Sequence, residues 1–122
     1  MLRNFLIIAI LSGSVVSVAS EKNILQCDIP KCKSCFLLID LKRGLVEYMD
    51  NESSHFLNQT KQTRKQRVFE IAYNQEIPTP GFRFTFNPKS MSGKLSEISS
   101  TKSTKVIYTD VKCKASKISL SK

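Results

Sequence analysis

The chain has 122 residues, with 19 Lys and Arg against 10 Asp and Glu, one His, four Cys and a formal net charge of +9. That length accommodates one small domain and excludes a multidomain enzyme. With only four Gly and no phosphate-cradling glycine run, the composition also argues against a nucleotide-cofactor enzyme. The basic balance favours anionic partners such as nucleic acid, acidic glycans or membrane surfaces, with solubility as the competing reason for the charge.

In chain order, residues 1–20 read as a cleavable secretory leader. Arg3 supplies its positive end, residues 5–11 its apolar stretch, and Ser17-Val-Ala-Ser20 the small residues for cleavage. Ser12-Gly13-Ser14 breaks the apolar run well short of the roughly 18 residues that a membrane helix needs. The expectation is a secreted, soluble domain over residues 21–122 with no membrane anchor. Loss of the leader removes Arg3 and no acid, leaving 18 basic against 10 acidic residues, a balance of +8. Cys27, Cys32, Cys35 and Cys113 all follow the leader, and in an oxidising compartment they form two disulfides by one of three pairings. Any pairing ties the C-terminus to the N-terminal region through a loop of about 80 residues, worth about 4 to 5 kcal/mol. The competing reading of Cys32-Lys-Ser-Cys35 as half of a zinc site or a redox pair lacks a second close pair and a cytosolic setting, so no metal is expected.

Residues 36–49 place Leu38, Leu41, Leu45 and Met49 at helical spacing, with Asp40, Lys42, Arg43 and Glu47 on the other face. Gly44 weakens this helix, and residues 50–53 supply its stop. Residues 61–67 then hold four cations, Lys61, Arg64, Lys65 and Arg67, between the lone His55 and the first strand. Strands are expected over residues 68–73, 82–86, 94–99 and 105–111, with Ser- and Thr-rich loops across 90–104. Phe82, Phe84 and Phe86 share one strand face, as do Phe69, Ile71 and Tyr73. Glu70 and Arg83 therefore lie opposite the core, on one surface if their strands are neighbours. The predicted fold is α+β, one long helix packed on a central antiparallel sheet of about four strands, stapled by disulfides, with a free concave face.

Several features stand in an order known from a family. They are Cys27-Asp-Ile-Pro-Lys-Cys32-Lys-Ser-Cys35, one helix, a lone His, a Phe69-Glu-Ile71 strand, Arg83-Phe-Thr-Phe86-Asn87, and a Cys a few residues from the end. From Cys27 to Cys113 the chain resembles the small secreted guanyl-specific ribonucleases of fungi, and is most similar to their divergent relatives, the ribonuclease-like effectors of powdery mildews. The resemblance implies a microbial ribonuclease-like fold with disulfides Cys27–Cys35 and Cys32–Cys113. It also implies RNA cleavage by 2′,3′-cyclising transphosphorylation, with Glu70 as base, His55 as assisting residue and Arg83 on the phosphate.

The family's general-acid His falls here at Ser100 or Thr101. Neither donates a proton usefully near neutral pH, and losing such help costs about 10² to 10⁴ in rate. Ser53 stands where the family has a Tyr, and Asp110 falls near its late aromatic. Lys61 occupies the place of the guanine-binding Glu, so guanine specificity does not carry over. The cations Lys61, Arg64, Lys65 and Arg67 are instead suited to phosphates, without sequence readout. Asn51-Glu-Ser53 and Asn58-Gln-Thr60 are glycosylation sequons flanking His55. The expectation is a secreted, monomeric, effector-like protein with impaired or absent catalysis and no cofactor. Its partner is RNA, a ribonucleoprotein or a host protein, and it acts outside or inside a host cell. The alternative is an active endoribonuclease on single-stranded RNA. A membrane-disrupting role is disfavoured because the charge follows no amphipathic helix.

Overall fold

A computed structural model describes residues 24–77, 79–100 and 103–121. The leader assigned to residues 1–20 lies outside them. The described residues contain no α-helix, and the expected α+β, ribonuclease-like fold is replaced by a closed antiparallel barrel. Its eight strands are β1 (Ile24–Asp28), β2 (Phe36–Asp40), β3 (Leu45–Met49), β4 (Ser54–Gln62), β5 (Arg67–Ile71), β6 (Gly81–Asn87), β7 (Ser92–Ser100) and β8 (Ser103–Ala115). Each strand pairs with the next, and β8 returns to pair with β1, so no sheet edge is left unpaired.

The predicted helix over 36–49 is a hairpin, with Phe36 opposite Met49 and Asp40 opposite Leu45. Gly44, at a φ of 64°, turns the chain where an L side chain is disfavoured. The Asp40 carboxylate locks the turn by accepting from the Arg43 backbone N–H at 3.1 Å and from Arg43 Nε at 2.7 Å. The four-residue apolar spacing was incidental, because Leu37, Ile39, Val46 and Tyr48 are equally buried. Both faces of the hairpin are covered, so neither strand shows clean alternation. The inner face meets the core, while Leu38 and Leu45 on the outer face pack under Leu120 of the C-terminal tail. Ser121 fastens that tail, its N–H donating to Glu47 Oε1 at 2.9 Å and its hydroxyl to Oε2 at 2.6 Å.

The four expected strands fall within or across β5 to β8, whereas β1 and β4 were not anticipated. Register stacks the interior in tiers: Ile39, Val46 and Leu57 across β2 to β4, and Phe69, Phe84 and Leu95 across β5 to β7. All six are fully buried, as expected for an eight-stranded barrel, whose interior is just wide enough to be filled by side chains. Gly93 makes room for this filling, since a Cβ there would collide with the Thr85 carbonyl and the Phe84 ring.

The disulfides are Cys27–Cys113 and Cys32–Cys35, which corrects the pairing of Cys27 with Cys35 and Cys32 with Cys113. Barrel closure is the physical reason: the β1–β8 register sets Cys27 directly opposite Cys113 across the seam. Cys32 and Cys35 remain in the β1–β2 loop, where a turn brings the Cys35 N–H to the Cys32 carbonyl at 3.3 Å. Two disulfides suit an extracellular or otherwise oxidising environment.

Candidate nucleic-acid interface

The residues expected to form a nuclease site are divided by the barrel wall. Glu70 and Arg83 are cross-strand partners on β5 and β6, joined by an Arg83 Nε to Glu70 Oε2 contact of 2.6 Å. Thr60 on β4 donates to Glu70 Oε1 at 2.8 Å, so both carboxylate oxygens are engaged. Burial by itself raises the Glu70 carboxyl. The Arg83 and Thr60 hydrogen bonds and the Arg83 charge outweigh it and hold the group below its ordinary value. A carboxylate so held is a poor base. The pair lies on the convex outer surface, not on the concave sheet face that an α+β domain would have offered.

His55 lies on the other side of the wall. It is opposite Tyr48 in register, and its ring contacts Tyr48 and Phe82 at centroid distances of 5.7 and 4.8 Å. Tyr48 and Phe82 are both buried, which places the imidazole on the inner face near a barrel mouth. Its Nε2 is 3.0 Å from Asp50 Oδ2 and 3.2 Å from Ser53 Oγ. Asp and Ser thus meet the same ring nitrogen, so this cluster cannot relay a proton from one to the other through the imidazole as a nucleophilic triad does. Burial raises the Asp50 carboxyl, but the backbone N–H groups of Glu52 and Ser53 and then His55 pull it below its ordinary value. Burial pushes the Tyr48 hydroxyl up to about 12, assisted by Tyr108, Asp50 and Glu97. Of the residues at the lost acid position, Ser100 ends β7 and Thr101 lies outside the described residues. Asp110 stands on β8 as the exposed partner of Lys112 at 3.5 Å.

The cations gather elsewhere. Lys61 lies on β4, Arg64 and Lys65 in the β4–β5 turn, and Arg67 at the start of β5. The turn is closed by the Thr63 N–H donating to the Gln66 carbonyl at 2.8 Å. Arg67 Nη1 donates to the Leu41 carbonyl at 3.1 Å and ties this hairpin to the β2–β3 turn. In an up-and-down barrel alternate connections fall at the same end, so the β2–β3, β4–β5 and β6–β7 turns share a rim. Two clefts flank the β4–β5 hairpin. One, of about 420 Å³, is lined by Lys42, Arg43, Gln59 and Arg67. The other, of about 370 Å³, is lined by Lys65, Asn87, Ser90 and Lys94. Lys42, Arg43, Lys89 and Lys94 therefore join the four expected cations. Sequence reasoning had placed the first two on a helix face and did not single out the last two, because only barrel closure brings the turns together.

Among the described residues, the exposed large hydrophobics are Ile71, Ile77, Val106 and Ile118, with no aromatic among them to stack a base. Both sequon residues, Asn51 in the β3–β4 turn and Asn58 on β4, are exposed. No cluster of metal-ligating side chains and no helix long and apolar enough to cross a membrane occurs among the described residues. The chain matches no known family model, no curated protein and no solved structure.

Proposed function

We propose that the protein is a secreted, effector-like binding protein whose basic barrel end holds RNA through its phosphates and does not cleave it. One observation carries this reading: three turns of one rim bring together Lys42, Arg43, Lys61, Arg64, Lys65, Arg67, Lys89 and Lys94 around two polar clefts, with Asp40 their single carboxylate. Cations without stacking aromatics favour phosphate contacts that are independent of base sequence. The reading as an endoribonuclease has against it that Glu70 and Arg83 neutralise each other outside the wall while His55 lies within it.

The test is retention of single-stranded RNA by the oxidised protein between about 50 and 200 mM salt, where affinity of this kind falls steeply. Replacing Arg64, Lys65 and Arg67 together by Gln is expected to flatten the log–log salt slope by about 2, at roughly 0.7 per phosphate contact. An unchanged slope removes the rim from the interface. RNA cleavage that vanishes in Glu70→Ala restores the nuclease reading.

A further inference from the structure

The two disulfides hold different things. Cys27 is fully buried and opposes half-buried Cys113 within the seam, so that bond links strands 86 residues apart and closes the barrel. Cys32 and Cys35 are three residues apart in a loop whose ends are already fixed by the pairing of Asp28 with Phe36. The loop has its own backbone ties, from the Cys32 N–H to the Ile29 carbonyl at 3.1 Å and from the Cys35 N–H to the Cys32 carbonyl, and Ile29 is anchored in the core. Opening the Cys32–Cys35 bond therefore leaves the barrel intact. A bond that does little for the fold is protected little by it, because the two effects are linked.

The surroundings of this bond suit exchange. Cys32 is partly exposed and Cys35 is buried, so an incoming thiol reaches the Cys32 sulfur. Exposed Lys31 and Lys33 flank Cys32, whose Sγ lies 3.9 Å from Asn51 Oδ1 in the β3–β4 turn. A groove of about 240 Å³ beside the loop is lined by Pro30, Lys31, Ile107, Tyr108, Thr109 and Asp110.

We propose that Cys32–Cys35 is a thiol-exchanging site that accepts two electrons from a small thiol, while Cys27–Cys113 stays a staple. A thiolate attacks Cys32 Sγ, the Cys32–Cys35 bond breaks, and Cys35 leaves with the electron pair and takes a proton from water. A second thiolate then attacks the thiol's sulfur in the mixed disulfide, giving the oxidised dimer of that thiol and releasing the Cys32 thiolate. Two thiols are oxidised and one disulfide is reduced.

The probe is glutathione. The oxidised protein is equilibrated in graded mixtures of reduced and oxidised glutathione, alkylated, and both bonds are quantified by peptide mass. Cys32–Cys35 is expected to open in buffers at least about tenfold less reducing than Cys27–Cys113 requires, with the far-ultraviolet circular dichroism unchanged. Opening of both bonds together, or loss of the barrel signal as Cys32–Cys35 opens, overturns the proposal. Cys35→Ala with oxidised glutathione is expected to trap the tripeptide on Cys32, and its absence there also overturns it.

Discussion

At one end of the barrel, residues 40–44, 61–67 and 87–94 carry eight cations and one carboxylate, a local balance of +7. At the other end, three of the turns, residues 28–35, 49–55 and 71–80, carry Lys31 and Lys33 against Asp28, Asp50, Glu52 and Glu76, a balance of −2. The same wall and the same core thus support two rims of opposite sign. The acids also differ in how they are held. Asp40 is tied to the guanidinium of its own turn, whereas Asp50 accepts from two backbone N–H groups and from a ring on the inner face. At the first rim Arg43 and Arg67 serve local structure while Lys42, Lys61, Arg64, Lys65, Lys89 and Lys94 are exposed, and at the second Asp50 serves local structure. Alternation of turns in an up-and-down barrel lets connections far apart in sequence share one electrostatic surface.

The comparison breaks if the rims are not independent, and their shared core gives the largest test. Phe84→Ala, at a fully buried position between Phe69 and Leu95, is expected to cost about 3 to 5 kcal/mol. Denaturant unfolding followed at both ends, by RNA retention and by the near-ultraviolet circular dichroism of buried Tyr48, is expected to show one coincident, shifted transition. Separate transitions would mean that the ends belong to separate cooperative units.

The next effect belongs to one rim alone. Arg64→Gln, Lys65→Gln and Arg67→Gln combined are expected to weaken RNA binding by about 10- to 100-fold at low salt. Lys31→Gln with Lys33→Gln is expected to stay within about twofold, since these lysines lie at the opposite rim. Equal losses from the two sets would replace a localised interface by a general effect of net charge.

Much of the barrel's second half was legible in the residues. Phe82-Arg-Phe-Thr-Phe86 alternates cleanly because only one side of β6 faces the core, and with Phe69, Ile71 and Tyr73 it placed Arg83 and Glu70 opposite the aromatics. The first half was not legible, for a physical reason that lies 74 residues downstream of Glu47. Leu120 and Ser121 cover the outer faces of β2 and β3, so Leu38, Leu45 and Glu47 are buried and the two-residue period is erased. A spurious helical spacing remained visible. In β4 the opposite happens, because Leu57 is its one fully buried residue in a strand of polar side chains. The basic rim was half legible: the run from Lys61 to Arg67 stands out, but Lys42 and Lys89 join it only through topology. His55 was legible as a lone titratable residue, but not as one facing the interior beside Tyr48. The disulfide pairing followed from barrel closure, which no local spacing contains.

A smaller effect sharpens the contrast at the far rim. Asp50→Asn keeps an oxygen for the two turn N–H groups but removes the charge and the Oδ2 acceptor at His55, and is expected to cost about 1 kcal/mol near neutral pH. Because the folded carboxyl sits below its unfolded value of about 3.9, its contribution is complete above that value and is lost as pH falls through the lower folded one. The stability difference between wild type and Asp50→Asn is therefore expected to be constant from about pH 6 to 5 and to shrink toward pH 3. A difference that instead grows on acidification would mean that the protonated carboxyl is the form the turn holds.

The smallest effect concerns the pair that first suggested catalysis. Glu70 and Arg83 have side chains 27% and 41% exposed, so water screens their attraction, and a double-mutant cycle with Glu70→Gln and Arg83→Gln is expected to couple them by less than about 1 kcal/mol. The Thr60 hydroxyl complicates the cycle, since Glu70→Gln also weakens the contact from β4; adding Thr60→Val separates that share. The folded Glu70 carboxyl is also below its ordinary value, so the coupling is expected above the unfolded carboxyl range and disappears as pH falls through the folded one. Raising the salt to about 1 M is expected to remove most of it as well. A coupling of this size, with RNA retention unchanged in Glu70→Gln, marks the pair as a wall contact belonging to neither rim. A coupling above about 2 kcal/mol would require a desolvation that the exposure of these side chains does not provide.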